Sequence, residues 1–96
     1  MNTRKEPLRI LHCLASLDRG GAETFIMNVY RGIDRSLVQF DFLYSYDGVY
    51  KDEIKQLGGH LYQIPFITQC GPFAYRKHVM QVLHEHPEYH IIHSHM

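Results

Sequence analysis

The sequence predicts an α/β fold built on a parallel sheet with the strand order 3-2-1-4. Short apolar segments of strand type alternate with segments of helical period along the 96 residues, and short links join them. Such alternation is typical of parallel strands connected by right-handed crossover helices. The composition, 45% hydrophobic and 21% charged, indicates a globular chain and excludes a disordered tail or a collagen-like chain.

Two apolar patterns near the start of the chain predict the first strand and the first helix. The run from Leu8 to Leu14 is nearly continuous, as expected of a strand that is covered on both faces. Apolar residues then recur with the spacing of one helical face, and this helix ends near Gly32. The residues of that face are Ala22, Phe25, Ile26, Val29, Tyr30 and Ile33.

The second strand, a short helix and the third strand follow. Alternation along the second strand places Phe40, Phe42 and Tyr44 on one side, with Gln39, Asp41 and Leu43 on the other. A short helix over 50–57 is stopped by Gly58-Gly59. The third strand, over 61–64, ends at Pro65.

A loop, a longer helix and a fourth strand complete the predicted order. We expect a loop over 66–71 and a helix that begins at Pro72, because the first helical position does not need a backbone N–H. Pro87 ends this helix, and the fourth strand runs over 89–93. The inner face of the helix consists of Tyr75, Val79, Val82, Leu83 and His86.

The most informative stretch is the loop between the first strand and the first helix, which contains Gly20-Gly21. A buried strand, a tight diglycine turn and a helix start together favour an anion. The N–H groups at a helix start lack intrahelical partners, and a glycine lets a ligand approach the backbone. We therefore predict that Gly20 and Gly21 bind a phosphate, with a ligand-free turn as the alternative.

The strand order brings a second segment beside that loop. The order reverses between strands 1 and 4, and ligands of such sheets bind beyond the carboxyl ends of the strands at this point. Ser94 and His95 leave the fourth strand there, so we expect them to line the same cleft. Ser16, Asp18 and Arg19 in the loop are further candidates for ligand contact, with a solvated turn as an equally good alternative.

Glu23 carries the wrong charge for a phosphate site. Its carboxylate stabilises the first turn of the helix through the helix dipole. The same charge would repel a phosphate if the side chain pointed into the cleft. We therefore expect Glu23 to face away from the cleft or to pair, for example with Arg19.

Histidines near the end of the chain raise the question of a metal. His93 and His95 lie two positions apart and share one face if the strand continues. With His12 on the first strand they could offer imidazole nitrogens to zinc. No carboxylate lies close in sequence to complete the ligand set. We therefore expect hydrogen-bonded histidines that line a cleft, and no metal site.

Charge, hydropathy and cysteine content limit the possible partners of the chain and its cellular compartment. Lys+Arg and Asp+Glu number 10 each, so nothing indicates a nucleic-acid partner. The longest apolar runs are far shorter than the roughly 20 residues of a membrane-spanning helix. Cys13 and Cys70 do not make a disulfide framework, which favours a reducing, cytoplasmic setting.

The segment from Arg9 to Thr24, with its Gly-Gly-Ala-Glu motif, strongly resembles the start of bacterial GT-B glycosyltransferases. The most similar type is the retaining family 4, whose members build exopolysaccharide, capsule and lipid-linked glycans. Further matching segments are Asn28-Val-Tyr-Arg31, Ile33-Asp-Arg35, Phe40-Asp-Phe42, Leu57-Gly-Gly59 and His90-Ile-Ile-His-Ser-His95. The resemblance covers nearly the whole chain.

The resemblance implies that residues 1–96 form part of the N-terminal, Rossmann-like, acceptor-side domain of a two-domain enzyme, without the C-terminal donor domain. In the family the diglycine loop lies against the phosphates of the donor, commonly a UDP- or GDP-linked sugar, so Gly20 and Gly21 would approach the diphosphate. This donor is a substrate, and no tightly bound cofactor is implied. The family's paired glutamates belong to the other domain, so we assign no catalytic residue and expect the chain alone to be inactive.

The resemblance also implies partners and a location. The acceptor would be a saccharide or a lipid-linked glycan, and the intact enzyme would be cytoplasmic, at the inner face of the membrane. The fourth strand, 89–93, would leave an apolar sheet edge with unpaired backbone groups. We expect a continuation of the chain, or a second copy of it in a homo-oligomer, to cover this edge.

A non-enzymatic alternative remains open. The chain could be a small Rossmann-like module that binds a nucleotide, or a protein partner through its open sheet edge. A standard dinucleotide site is disfavoured, because Gly20-Gly21-Ala22 lacks the spacing Gly-x-Gly-x-x-Gly.

Overall fold

A computed structural model, which describes residues 6–95, contains one parallel sheet with the order β3-β2-β1-β4. The strands are β1 (Leu8–Cys13), β2 (Val38–Tyr44), β3 (Leu61–Gln63) and β4 (Ile91–Ser94). The helices are α1 (Gly21–Gly32), α2 (Lys51–Gln56), α3 (Ile67–Cys70) and α4 (Pro72–Glu85). The predicted α/β class and strand order are confirmed. Among residues 6–95, no helix has the length and apolarity that crossing a membrane requires.

The sheet separates two hydrophobic cores because side chains alternate along its strands. On one face, Phe40 and Phe42 of β2 pack with Tyr30 of α1. On the other face, Leu11 of β1 and Leu43 of β2 form a smaller core, against which one face of α4 packs. The alternation predicted for the second strand is confirmed for Phe40, Phe42, Tyr44 and Leu43, whereas the side chain of Gln39 bonds to Tyr30 on the Phe40 side. Helices cover both faces of the sheet.

Helix α1 buries a narrower face than the sequence predicts. Ile26 and Tyr30 are buried as expected, and Met27 is buried as well. Phe25 and Val29, predicted on the inner face, are 68% and 39% exposed, and Ala22, predicted on the same face, is exposed as well. Phe25 and Val29 line an open groove together with Ile91 and Ile92 of the edge strand β4, and no other element of residues 6–95 fills it. An apolar flank of α1 is thus left open.

A buried carboxylate ties the amino-terminal ends of the strands together. Asp41 of β2 has no exposed surface, and its Oδ1 accepts hydrogen bonds from Arg9 Nη1 and from the His60 backbone N–H, both at 2.7 Å. The hydroxyl of Tyr89 donates to Asp41 Oδ2 at 2.5 Å and lies 2.9 Å from the Tyr62 hydroxyl. Burial, followed by the hydrogen bond to Asp41, raises the pKa of Tyr89.

The same contact explains why the fourth strand is shifted from its predicted position. The prediction for 89–93 is wrong at both bounds, because β4 spans Ile91–Ser94. Tyr89 precedes the strand and turns its side chain under the sheet to reach Asp41. Because Tyr89 is aromatic and lies close to Ile91 and Ile92 in sequence, it continues the apolar run. The sequence pattern alone therefore does not show that Tyr89 lies outside the strand.

The predicted loop over 66–71 contains the short helix α3, so this prediction is wrong. Gln69 Oε1 accepts a hydrogen bond from the Phe66 backbone N–H at 3.1 Å, which stabilises the first turn. Gly71 then adopts a positive φ of 85° and separates α3 from α4. A helix of four residues is too short to show a periodic pattern.

Candidate functional site

The loop between β1 and α1 is fixed by the loop that follows β2. Leu17 is buried, its N–H donates to the Tyr46 carbonyl at 3.0 Å, and its carbonyl accepts from the Tyr50 N–H at 3.0 Å. A Cβ on Gly48 would lie 2.2 Å from the Leu17 carbonyl carbon, so a side chain there would push the two loops apart. The segment that precedes the diglycine turn is therefore held in place by the loop after β2.

The diglycine turn leads directly into α1. Gly20 is the N-cap residue with an extended backbone, and its carbonyl accepts the N–H of Thr24 at 2.9 Å. As a glycine it has no side chain to cap the helix, so the first N–H groups of α1 remain for another acceptor. A Cβ on Gly21 would meet nothing within 4 Å, which shows that the space in front of Gly21 is open. The strand-turn-helix arrangement is confirmed, and its role in phosphate binding stays a prediction.

Glu23 folds back over this turn. Its Oε2 accepts a hydrogen bond from Ser16 Oγ at 2.8 Å, and its Oε1 lies 2.5 Å from where a Cβ of Gly20 would be. Glu23 thus takes the second of the two expected alternatives and pairs, although its partner is Ser16 and not Arg19. The helix dipole attracts the carboxylate to this end of α1. A phosphate that approaches Gly20 must displace it.

Three histidines meet at the carboxyl ends of β1 and β4. His12 Nδ1 lies 3.1 Å from His95 Nε2, and the rings of His93 and His95 are 4.0 Å apart between centroids. The backbone N–H of His95 donates to the Cys13 carbonyl at 3.0 Å, so the chain remains attached to β1 past the end of β4. Parallel pairing places these histidines on one side of the sheet, and the expected hydrogen bonding is present between His12 and His95, whereas His93 makes ring contacts with both.

Burial keeps His12 uncharged. The residue is 4% exposed, and burial, with smaller contributions from His95 and His93, lowers its pKa to about 4. Its Nε2 is buried without a hydrogen-bond partner among the described residues. Burial and His93 also lower the pKa of His95, while the nearby charge of Glu23 acts in the opposite direction. The charge of Glu23, which lies over the diglycine turn, therefore also acts on His95.

An open apolar groove of about 450 Å³ adjoins the histidines. Its walls include Phe25 and Val29 of α1 and Ile91 and Ile92 of β4, all of them exposed. His93 and His95 lie along the same groove. The groove is thus apolar on its flanks and polar toward the diglycine turn.

The predicted site residues do not all converge. Ser16 is held against the diglycine turn by Glu23, and the charge of Glu23 reaches His95. Asp18 and Arg19 are exposed, and Asp18 Oδ1 accepts the Arg19 N–H at 3.0 Å, as in a solvated turn. Ser94 is also exposed and pairs in register with Cys13. The positions of these residues do not test ligand binding, so their contacts with a ligand stay predictions.

Sequence comparison relates the chain to a bacterial protein. Over 89 residues, which make up 91% of this chain, the sequence is 44% identical to a Bacillus subtilis (strain 168) protein named "Putative glycosyltransferase EpsF". The resemblance to glycosyltransferases is confirmed. The chain spans 23% of the length of this relative. No family model matches the chain, and no solved structure matches it significantly.

Proposed function

We propose that the chain is the N-terminal, acceptor-side part of a retaining GT-B glycosyltransferase. It would act with a donor-binding segment outside these 96 residues. The observation that carries the proposal is the 44% identity to the Bacillus subtilis protein over 91% of the chain. The diglycine turn and His95 support it, because both lie at the carboxyl edge of the sheet next to the point where the strand order reverses.

In this proposal the diglycine turn receives the diphosphate of a UDP- or GDP-linked sugar. The free N–H groups at the start of α1 stabilise the negative charge that develops on the leaving diphosphate. Glu23 moves away from Gly20 when the donor enters. Gly20 and Gly21 are donor-binding residues, and none of the 96 residues is assigned to the chemical step.

The acceptor is a saccharide or a lipid-linked glycan of a growing polysaccharide. Ser16, Asp18, Arg19, Ser94 and His95 contribute to its side of the cleft. The intact enzyme works in the cytoplasm, at the inner face of the membrane, and the donor is its substrate without a tightly bound cofactor. Since the donor-binding segment supplies most of the diphosphate contacts, the isolated chain binds nucleotide weakly and does not transfer sugar.

Titration of the isotope-labelled chain with UDP and with GDP, followed by amide NMR spectra, tests this proposal. The amide signals of Gly20, Gly21 and Ala22 should shift progressively, because the N–H groups of Gly21 and Ala22 meet the added diphosphate and Gly20, whose N–H donates to the Asp18 carbonyl at 2.8 Å, lies next to them. Signals from α4, such as that of Lys77, serve as the internal control and should stay in place. Shifts confined to other regions, or none at millimolar nucleotide, would contradict the proposed donor site.

A non-enzymatic binding module is the second candidate, and the exposed groove favours it. Phe25 and Ile92 are 68% and 46% exposed, which is unusual for neighbouring apolar side chains on an isolated surface. If the groove binds a protein and the turn binds no ligand, UDP and GDP leave the Gly20 and Gly21 amides unchanged. The same titration therefore separates the two candidates.

A further inference from the structure

The histidine cluster has the composition of a transition-metal site. One ring nitrogen from each of His12, His93 and His95 lies within 4.8 Å of the others. Neutral imidazole nitrogen is a preferred ligand of Zn²⁺, Ni²⁺ and Cu²⁺, whereas Mg²⁺ and Ca²⁺ prefer oxygen. The donor set thus selects a class of ion from its chemistry alone.

The distances between the donor atoms suit a tetrahedral ion. Two nitrogens on one tetrahedral zinc, each about 2.0–2.1 Å from the metal, lie about 3.3 Å apart. His12 Nδ1 and His95 Nε2 are 3.1 Å apart, close to that separation. An ion would replace the proton that these two nitrogens share. His93 is exposed at its register position opposite His12, so its ring can turn toward them.

The surroundings hold the ligands in place and leave room for a fourth one. His12 is 4% exposed, and its position on the central strand is fixed. His93 is carried by β4, and the His95 backbone is bonded to Cys13. The adjoining groove is open to solvent, so water can complete a tetrahedron. The charge of Glu23, felt at His95, favours a cation at this place.

We propose that His12, His93 and His95 bind one Zn²⁺ or a similar divalent transition-metal ion, with water as the fourth ligand. The proposal departs from the expectation, based on sequence spacing, that the histidines form no metal site. Sequence spacing places no carboxylate beside His93 and His95, whereas in the structure the negative charge of Glu23 acts on His95 without being a ligand of the ion. The proposal does not depend on glycosyltransferase activity.

Calorimetric titration of the chain with ZnCl₂ tests the site, and the visible spectrum with Co²⁺ reports its geometry. We expect one ion per chain and the intense absorption of tetrahedral Co²⁺. His93→Ala and His95→Ala should each weaken Zn²⁺ binding at least about tenfold, since each removes a ligand. His84→Ala, an exposed histidine on α4, is the matched control and should bind like the wild type. MgCl₂ should produce no binding heat.

The variants also separate a built site from adventitious binding. The chain contains 8 histidines, so weak surface binding of Zn²⁺ is the competing explanation. Equal loss of affinity in His84→Ala and His95→Ala would overturn the proposal, as would wild-type affinity in His93→Ala and His95→Ala. Because His93 and His95 lie outside the buried cores, their replacement tests binding without the fold damage expected from replacing His12.

Discussion

At the scale of single residues, the position of Glu23 over the diglycine turn is the feature that bears most on the candidate site. Its carboxylate accepts a hydrogen bond from Ser16 and occupies the space above Gly20. The sequence shows an acidic residue in the first helical turn, which the helix dipole favours. Sequence spacing did not reveal that the side chain turns back toward the loop, because that direction depends on Ser16 and on the missing side chain of Gly20.

Glu23→Gln should bind GDP more tightly than the wild type. The amide keeps the size of the side chain and can still accept from Ser16, but it no longer repels a phosphate. We expect a gain of up to about tenfold in affinity, equivalent to ~1.4 kcal/mol. The free energy of unfolding should fall by about 0.5 kcal/mol, because the helix dipole loses its charged partner. Calorimetric titration and urea unfolding measure the two effects.

The matched control for this variant is Glu53→Gln. Glu53 is an acidic helical residue that pairs with Arg31 at the opposite end of α1 from the diglycine turn. It should leave GDP affinity unchanged. Weaker GDP binding in Glu23→Gln would contradict the account, since it would show that Glu23 helps to hold the ligand.

At the scale of elements, the Asp41 contacts fix the strands whose other ends carry the site. Asp41 joins β2 to Arg9 of β1 and to Tyr89, just before β4. Strand alternation predicted the side of the sheet on which Asp41 lies. It could not predict these partners, because Asp41 and Tyr89 are 48 positions apart and only the folded sheet brings them together. Local patterns likewise missed α3, which is shorter than their window.

Asp41→Asn should destabilise the chain by about 2–3 kcal/mol. The amide keeps one oxygen that can accept from Arg9 and from the His60 N–H, but it loses the charge that pairs with Arg9, and it presents an N–H₂ group to the Tyr89 hydroxyl, which must then donate elsewhere. Urea unfolding followed by circular dichroism measures the loss. Asp52→Asn, at an exposed position of α2, is the control, and its change should stay within about 0.5 kcal/mol. Equal changes in the two variants would show that the Asp41 contacts contribute little to stability.

At the scale of the whole molecule, the strand order is what brings distant segments to one cleft. The alternation of strands and helices sufficed to predict the order β3-β2-β1-β4, and with it the approach of His95 to the end of β1. The exposed groove was harder to predict. Phe25 and Val29 have the spacing of a core-facing stripe, and periodicity cannot show how far the sheet extends beneath a helix.

The stability of the whole chain should fall at alkaline pH partly through Tyr30. Burial, with a smaller contribution from Asp41, raises the pKa of Tyr30 to about 12. In the unfolded chain the Tyr30 hydroxyl ionises near pH 10. The contribution of Tyr30 to the free energy of unfolding is therefore complete below pH 10 and is lost as the pH rises from 10 to 12. The loss amounts to roughly 2 kcal/mol.

Urea unfolding across this pH range distinguishes Tyr30 from other groups. Tyr30→Phe should be less stable than the wild type at neutral pH, because its hydrogen bond to Gln39 is gone, and should lose less stability between pH 10 and 12. Tyr46→Phe, at a site 42% exposed, should lose as much unfolding free energy between pH 10 and 12 as the wild type, because Tyr30 is intact. If Tyr30→Phe lost as much unfolding free energy between pH 10 and 12 as the wild type, Tyr30 would be ruled out as the cause of the alkaline loss of stability.

The most direct test of the central claim is the dissociation constant for UDP and for GDP in Gly21→Ala, compared with Gly32→Ala. A Cβ meets nothing within 4 Å at either glycine, and the two residues lie at opposite ends of α1. Both variants should therefore fold, with stability equal to the wild type or up to about 1 kcal/mol greater. The account predicts that Gly21→Ala loses nucleotide binding and that Gly32→Ala retains it. Wild-type nucleotide affinity in Gly21→Ala would contradict the claim that the diglycine turn receives the diphosphate.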